Sequence, residues 1–280
     1  MYSKDFYKRL ENETGIDTIN ALNYAKDFFT SEEITLLWQM FNYGKKTGKI
    51  PYYIGGFYPY EFYSKVVTRA KEKNVPCESV FLWIYTAFAE KSYNLYMNAG
   101  LTERMFFDSY RKLGEEAKEY EKDHGSQGLY DYHFTANHVR ASVVRLGCFE
   151  YGYGKHEGKK AIFIHVPKGA DICSENRYES YFLARKHLGK YPIIADSWML
   201  YPKLKSLLPR NSKILEFSND FEIIFASESY DYKELFHVFG RNADYSSPQK
   251  LPADTDLQKA YIHRIKEKLP IGSAVGILRY

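Results

Sequence analysis

The strongest constraint on the fold of this chain is a change of hydrophobic period at "DHGSQG", Asp123 to Gly128. Upstream, apolar residues recur every three or four positions; downstream they alternate or cluster in short runs bounded by turn residues. A helix advances about 100° per residue and a strand about 180°, so no single element serves both patterns. The chain therefore divides into an all-helical block, residues 1–128, and an α+β block, residues 129–280.

In the helical block, "ALNYAKDFFTSEEITLLWQMFNYGKK" (Ala21 to Lys46) carries an N-cap signal at Thr30-Ser31-Glu32-Glu33, followed by apolar residues at helical spacing. "YPYEFYSKVVTRAKEKN" is a further helix that stops before Pro76, and Pro76 to Asn98 reads as one long apolar helix. Thr102 caps the next, which presents Met105, Phe106, Tyr110 and Leu113 on one face and ends in a charged turn before Gly125. In the second block, "VRASVVRLGCFEYGYG" and "KKAIFIHVP" read as two antiparallel strands joined by a turn-rich loop. Then come a helix capped by Ser174, with Tyr178, Phe182 and His187 or Leu188 near one side, and the strand "YPIIADSW". They are followed by a short helix "YPKLKSLLP", strands "SKILEFSNDFEIIFAS" and "ELFHVFG", the helix "TDLQKAYIHRIKEKL" and the strand "SAVGIL". The order β-β-α-β-α-β-β-α-β predicts a mixed sheet carrying helices.

Composition narrows the function. A formal net charge of +4 in 280 residues is far from the basic stripe of a nucleic-acid binder, though it favours a phosphorylated small molecule. Cys77, Cys148 and Cys173 are odd in number and show no Cys-x-x-Cys spacing, which argues against a disulfide framework and a zinc site and for a reducing, cytoplasmic compartment. The start lacks an apolar signal region, and the longest apolar run, Ser79 to Ala89, is too short to cross a bilayer. The 27 Tyr and 19 Phe suit a stacking surface or, as the blander reading, buried and half-exposed packing positions.

Read in sequence, "RLGCFEY", "IFIHVPKGADI", "DSWMLYPKLKSLLPRNSKILEFSNDFEII", "HVFG" and "KLPADTDLQKAYIHRIKEK" resemble bacterial acyltransferase-domain proteins over essentially the whole chain. Those proteins have a helical N-acyltransferase-type N-terminal domain (here 1–128) packed on a GNAT-like mixed β-sheet domain (here 129–280). The resemblance implies acyl transfer from acetyl-CoA or another acyl-CoA to a small-molecule amine, without metal. Two positions depart from the pattern: Ala195 stands where Cys is common and Cys148 where Arg is common. In GNAT-like folds two neighbouring strands splay and admit the coenzyme's pantetheine arm. By order these are "AIFIHV" and "PIIADSW", which assigns the backbone of Ile164 and Val166 to the coenzyme. Its pyrophosphate would lie against Lys168, Gly169 and Ala170 at the start of the following helix, where backbone N–H groups attract anions. The glycine-rich loop of well-characterised GNAT enzymes is missing, so "PKGAD" reads equally as an ordinary turn.

Four residues are candidates for proton transfer. His165, beside Phe163 on the face opposite Ile164 and Val166, is a base or a core histidine. Glu216 and Glu150, each read on a strand, are bases or structural carboxylates. Tyr201 is implied by the resemblance as the acid that protonates the leaving thiolate. Asp196-Ser197 beside His165 suggests a Ser/His/Asp hydrolase but lacks the strained, glycine-flanked elbow; Ser197 as a cap and Trp198 as an anchor fit better. The rival to an N-acyltransferase is a catalytically silent ligand-binding or regulatory protein on the same fold.

Overall fold

A computed structural model describes residues 3–42 and 59–279. The chain divides into two compact units, one of Met1–Leu146 with Glu150–Lys155, the other of Gly147–Phe149 with His156–Tyr280.

The first unit is built from α1 (Lys4–Thr14), α2 (Thr18–Phe28), α3 (Ser31–Asn42), α4 (Tyr60–Glu72), α5 (Cys77–Ala87), α6 (Ala89–Asn98), α7 (Glu103–His124) and α8 (Tyr132–Val139). Strand β1 (Val143–Leu146) and most of β2 (Phe149–His156) complete it. The cap at Thr30 is reciprocal: Glu33 N–H donates to its hydroxyl at 3.2 Å and its own N–H donates to the Glu33 carboxylate at 2.9 Å. The expected continuation of α3 to Lys46 lies outside the described residues beyond Asn42. The helix expected over Pro76 to Asn98 is two helices that meet at Phe88. Thr102 caps α7 and Gly125 ends it at φ +71°. Its buried face includes Phe106, Phe107, Tyr110 and Leu113, with Met105 only partly covered. Much of the aromatic excess fills this core: Phe41 and Phe62 lie 4.7 Å apart by ring centroid, and Phe81 stacks on Tyr132 at 4.1 Å. Gly114 is required by contact, since a Cβ there would come within 1.9 Å of the Thr14 carbonyl oxygen.

The second unit contains β3 (Lys159–His165), α9 (Ser174–Leu188), β4 (Ile193–Ser197), α10 (Lys213–Asn219), β5 (Phe221–Ser229), α11 (Phe236–Phe239), α12 (Asp256–Lys266) and β6 (Ile271–Leu278). Its strands run in the order β3-β4-β6-β5. The β3–β4 pair is parallel, while β4–β6 and β6–β5 are antiparallel, so the sheet is mixed. Ile162, Ile164, Ile193, Ala195, Gly276 and Leu278 form its buried face. Leu200 and Tyr201 lie against Gly276 and Gly272 on that side, where no larger residue fits. The predicted Ser174 cap is shifted by one: Cys173 is the cap and Ser174 opens α9. Tyr178 and Phe182 face solvent, and the buried side of α9 is Arg177, Ser180, Tyr181, Ala184 and Leu188. Two predicted strands are corrected. "SKILEFSN" is largely α10, with β5 starting at Phe221, and "ELFHVFG" is a 3-10 turn leading into α11.

Candidate functional site

The second unit holds a parallel strand pair that comes apart. β3 and β4 are in register from Ile162↔Ile193 to Ile164↔Ala195, and there the pairing ends. β4 continues through Asp196 and Ser197, paired only with Val275 and Ala274 of β6. β3 ends at His165, two residues before Pro167, whose ring nitrogen has no hydrogen to donate to a ladder. No ladder pair joins the two strands beyond that point, and this unpaired stretch at their C-terminal ends, the gap, has Ile164 buried and His165 and Val166 half-buried on its β3 side.

The loop leaving β3 is a folded turn. Ala170 N–H donates to the Pro167 carbonyl at 3.1 Å, and Gly169 has φ +75°, which a type II turn demands at its third residue. Lys168 and Gly169 are exposed and Ala170 is half-buried. The turn leads to the start of α9, where Asp171 accepts from Cys173 N–H and ion-pairs with Lys213 at 2.8 Å. That lysine, by hydrogen bond and charge, lowers the Asp171 pKa from its ordinary value. Arg177, one turn into α9, anchors the segment: its Nη1 donates to the Ile172 carbonyl at 2.7 Å and its Nε to Asp220 at 2.8 Å. Tyr181 donates to the same Asp220 oxygen at 3.0 Å. Sequence reading missed this buried triad, although Arg177, Tyr181, Ala184 and Leu188 share the spacing of a packed helix face.

The other predicted residues fall in different places. Tyr201 is buried over Gly272 of β6 and donates to Glu228 of β5 at 2.6 Å. With strands spaced about 4.8 Å apart, this is roughly 10 Å across the sheet from the β3–β4 gap. Burial first, then the bond to Glu228, raises the Tyr201 pKa. Lys203 meets the same Glu228 oxygen at 2.6 Å. Glu216 lies on helix α10, where a strand was expected; its side chain is 47% exposed and ion-pairs with Arg177 at 3.5 Å.

Glu150 belongs to the first unit, where its carboxylate sits in a buried ion cluster. It is fully buried, 2.7 Å from Arg145 and 3.3 Å from His138, while Arg145 also forms a two-pronged pair with Glu115 at 2.7 and 3.0 Å. Burial opposes its charge, but His138, Arg145 and Lys112 hold the carboxyl far below the usual range. A carboxylate so stabilised is a poor proton acceptor near neutral pH. Sequence reading missed Arg145 and His138. Among the described residues no group of three or more His, Cys, Asp or Glu could hold a metal, and no helix is long and apolar enough to cross a membrane.

A family profile described as GNAT-like C-terminal domain matches residues 108–278. No curated protein matches the sequence. A structure of an acyltransferase in complex with decanoyl-CoA aligns with a TM-score of 0.73 at 18% identity, covering 99% of this chain and 88% of that one. An acyltransferase in complex with decanoyl-CoA and teicoplanin aligns with the same score and coverage at 16% identity, and an acyltransferase mutant in complex with octanoyl-CoA does so at 17%. At these identities the likeness carries the fold.

Proposed function

The chain belongs to the GNAT-like C-terminal domain family, and from that premise we propose that it is an N-acyltransferase that moves an acyl group from an acyl-CoA to a small-molecule amine. The observation that carries this reading is the end of β3–β4 pairing at Ile164 and Ala195, with β4 held onward by β6 alone. An extended pantetheine arm fits such a gap as a surrogate strand, using the backbone near Ile164 and Val166, with Lys168, Gly169 and Ala170 toward the pyrophosphate. The decanoyl- and octanoyl-CoA complexes of its structural neighbours support a fatty-acyl donor.

In the proposed reaction the amine nitrogen attacks the thioester carbonyl and the carbon–sulfur bond breaks. His165, at the β3 end of the gap, takes the amine proton and returns it to the departing thiolate, giving an amide and free CoA. Its position supports it over Tyr201, whose hydroxyl bonds Glu228, and over Glu150, which is enclosed in its ion cluster. Three free cysteines fit a reducing, cytoplasmic setting.

One observation favours a silent ligand-binding protein instead: Asp171 and Glu175 lie at the α9 start, where the coenzyme's pyrophosphate would approach. Thermal denaturation separates the readings in two stages. Decanoyl-CoA at about 100 times its Kd stabilises a binder by about 2.7 kcal/mol, or roughly 5 °C for a chain of this size. No shift with acetyl-, octanoyl- or decanoyl-CoA refutes coenzyme binding. A shift without CoA thiol release across an amine panel leaves the silent reading.

A further inference from the structure

We propose that Asp196 determines the acceptor: its carboxylate binds the ammonium group of an amine with an apolar body and holds it beside the β3–β4 gap. This rests on the acyl-transfer reading above. Phe163 pairs with Ile194, so the residues two further along, His165 and Asp196, lie on the same face of the sheet on opposite banks of the gap. Asp196 pairs with Val275, and Val275 with Phe225, which extends this row across the sheet. The preceding row is Phe163, Ile194, Ile277 and Glu222.

This face differs from the one packed under Leu200 and Tyr201. Phe163, Val275 and Ile277 are half-buried, and Phe225 is 61% exposed. Asp196 is exposed at the edge of this apolar patch, and among the described residues its carboxylate makes no ion pair and no side-chain hydrogen bond. Other acids beside the gap and β6 are already engaged: Asp171 by Lys213, Asp220 by Arg177 and Glu228 by Lys203. Glu222 shares the face two strands away, beyond Ile277.

A primary amine arrives protonated and must lose a proton before attack. Held by Asp196, its nitrogen lies across the gap from His165; that first proton leaves to solvent, and His165 takes the second as the amide forms and passes it to the thiolate, while Val275, Ile277 and Phe225 receive the apolar body. The arrangement discriminates against neutral alcohols and against amines whose only surroundings are polar.

The test is an NMR titration of the full chain with phenethylamine and with 2-phenylethanol, in wild type and Asp196→Asn. Wild type is expected to bind the amine about tenfold more tightly than the alcohol, the scale of one charge-assisted contact, and the variant to bind both equally. No preference in wild type, or an undiminished one in the variant, overturns the assignment. Under turnover, Asp196→Asn is expected to raise the KM for phenethylamine about tenfold with kcat nearly unchanged, and to leave the KM for hydroxylamine, largely neutral at pH 7.5, as it was. An unchanged KM for phenethylamine also overturns it. If decanoyl-CoA neither binds nor turns over, the acyl-transfer reading fails by itself, and the titration still decides Asp196.

Discussion

Glu150→Gln separates a structural carboxylate from a catalytic one. The substitution keeps shape and an accepting oxygen but removes the negative charge that faces Arg145 at 2.7 Å and His138 at 3.3 Å in a fully buried setting. Breaking a buried ion pair costs about 3–5 kcal/mol when the surviving charge is stranded. Arg145 is not fully stranded, because Glu115 still grips it with two bonds, so the expected loss is about 2–3 kcal/mol. For a chain of this size that lowers the denaturation midpoint by roughly 3–5 °C, measured by scanning calorimetry. The sign with pH follows from a depressed folded-state pKa. The contribution is complete above the unfolded carboxylate value of about 4.3 and is lost as pH falls through the folded value. The wild-type advantage therefore persists from neutral pH down to that range and shrinks in stronger acid. A variant that melts with wild type yet loses acyl transfer would refute the structural assignment and return Glu150 to the chemistry.

Gly114→Ala is expected to destabilise by about 1–3 kcal/mol or more, since its Cβ would meet a backbone oxygen at 1.9 Å; urea unfolding with an unchanged midpoint contradicts the close approach of α7 and Thr14. Burial raises the Cys148 thiol to about 11, so iodoacetamide at pH 8 should label it about two orders of magnitude more slowly than a free cysteine; mass spectrometry showing fast labelling would contradict that burial. Tyr201→Phe should keep acyl transfer within about twofold, because the hydroxyl serves Glu228; a hundredfold loss restores it as the thiolate's acid.

What the sequence made legible was period and punctuation. Thr30 and Thr102 each cap a helix as their spacing implies, while the reciprocal box that Gln258 closes at Thr255 was not singled out in the sequence. Glu216 was misplaced because Leu215 and Phe217 flank it in the alternation of a strand, and over three residues a helix turn looks the same. Glu150 was ambiguous for another reason: residues 149–154 are all buried, so alternation along β2 carries no information about facing. The Arg145 and Arg177 networks depend on residues tens of positions away, Glu115 and Asp220, which no local period records.

The Asp-Ser-Trp at the end of β4 shows how a site's parts acquire roles from where two strands stop. Ser197 reads as a nucleophile beside an acid and a histidine, yet its hydroxyl accepts the Met199 N–H at 3.1 Å and caps the 3-10 turn that ends the strand. Trp198 packs edge-on toward Tyr261 and fixes that turn to the helical side of the sheet. With Ser197 and Trp198 so engaged on one bank and Pro167 ending the ladder on the other, the gap between β3 and β4 follows from the chain itself. Asp196, one residue earlier and on the opposite face from Ser197, is then the polar side chain at that strand end left to meet a substrate.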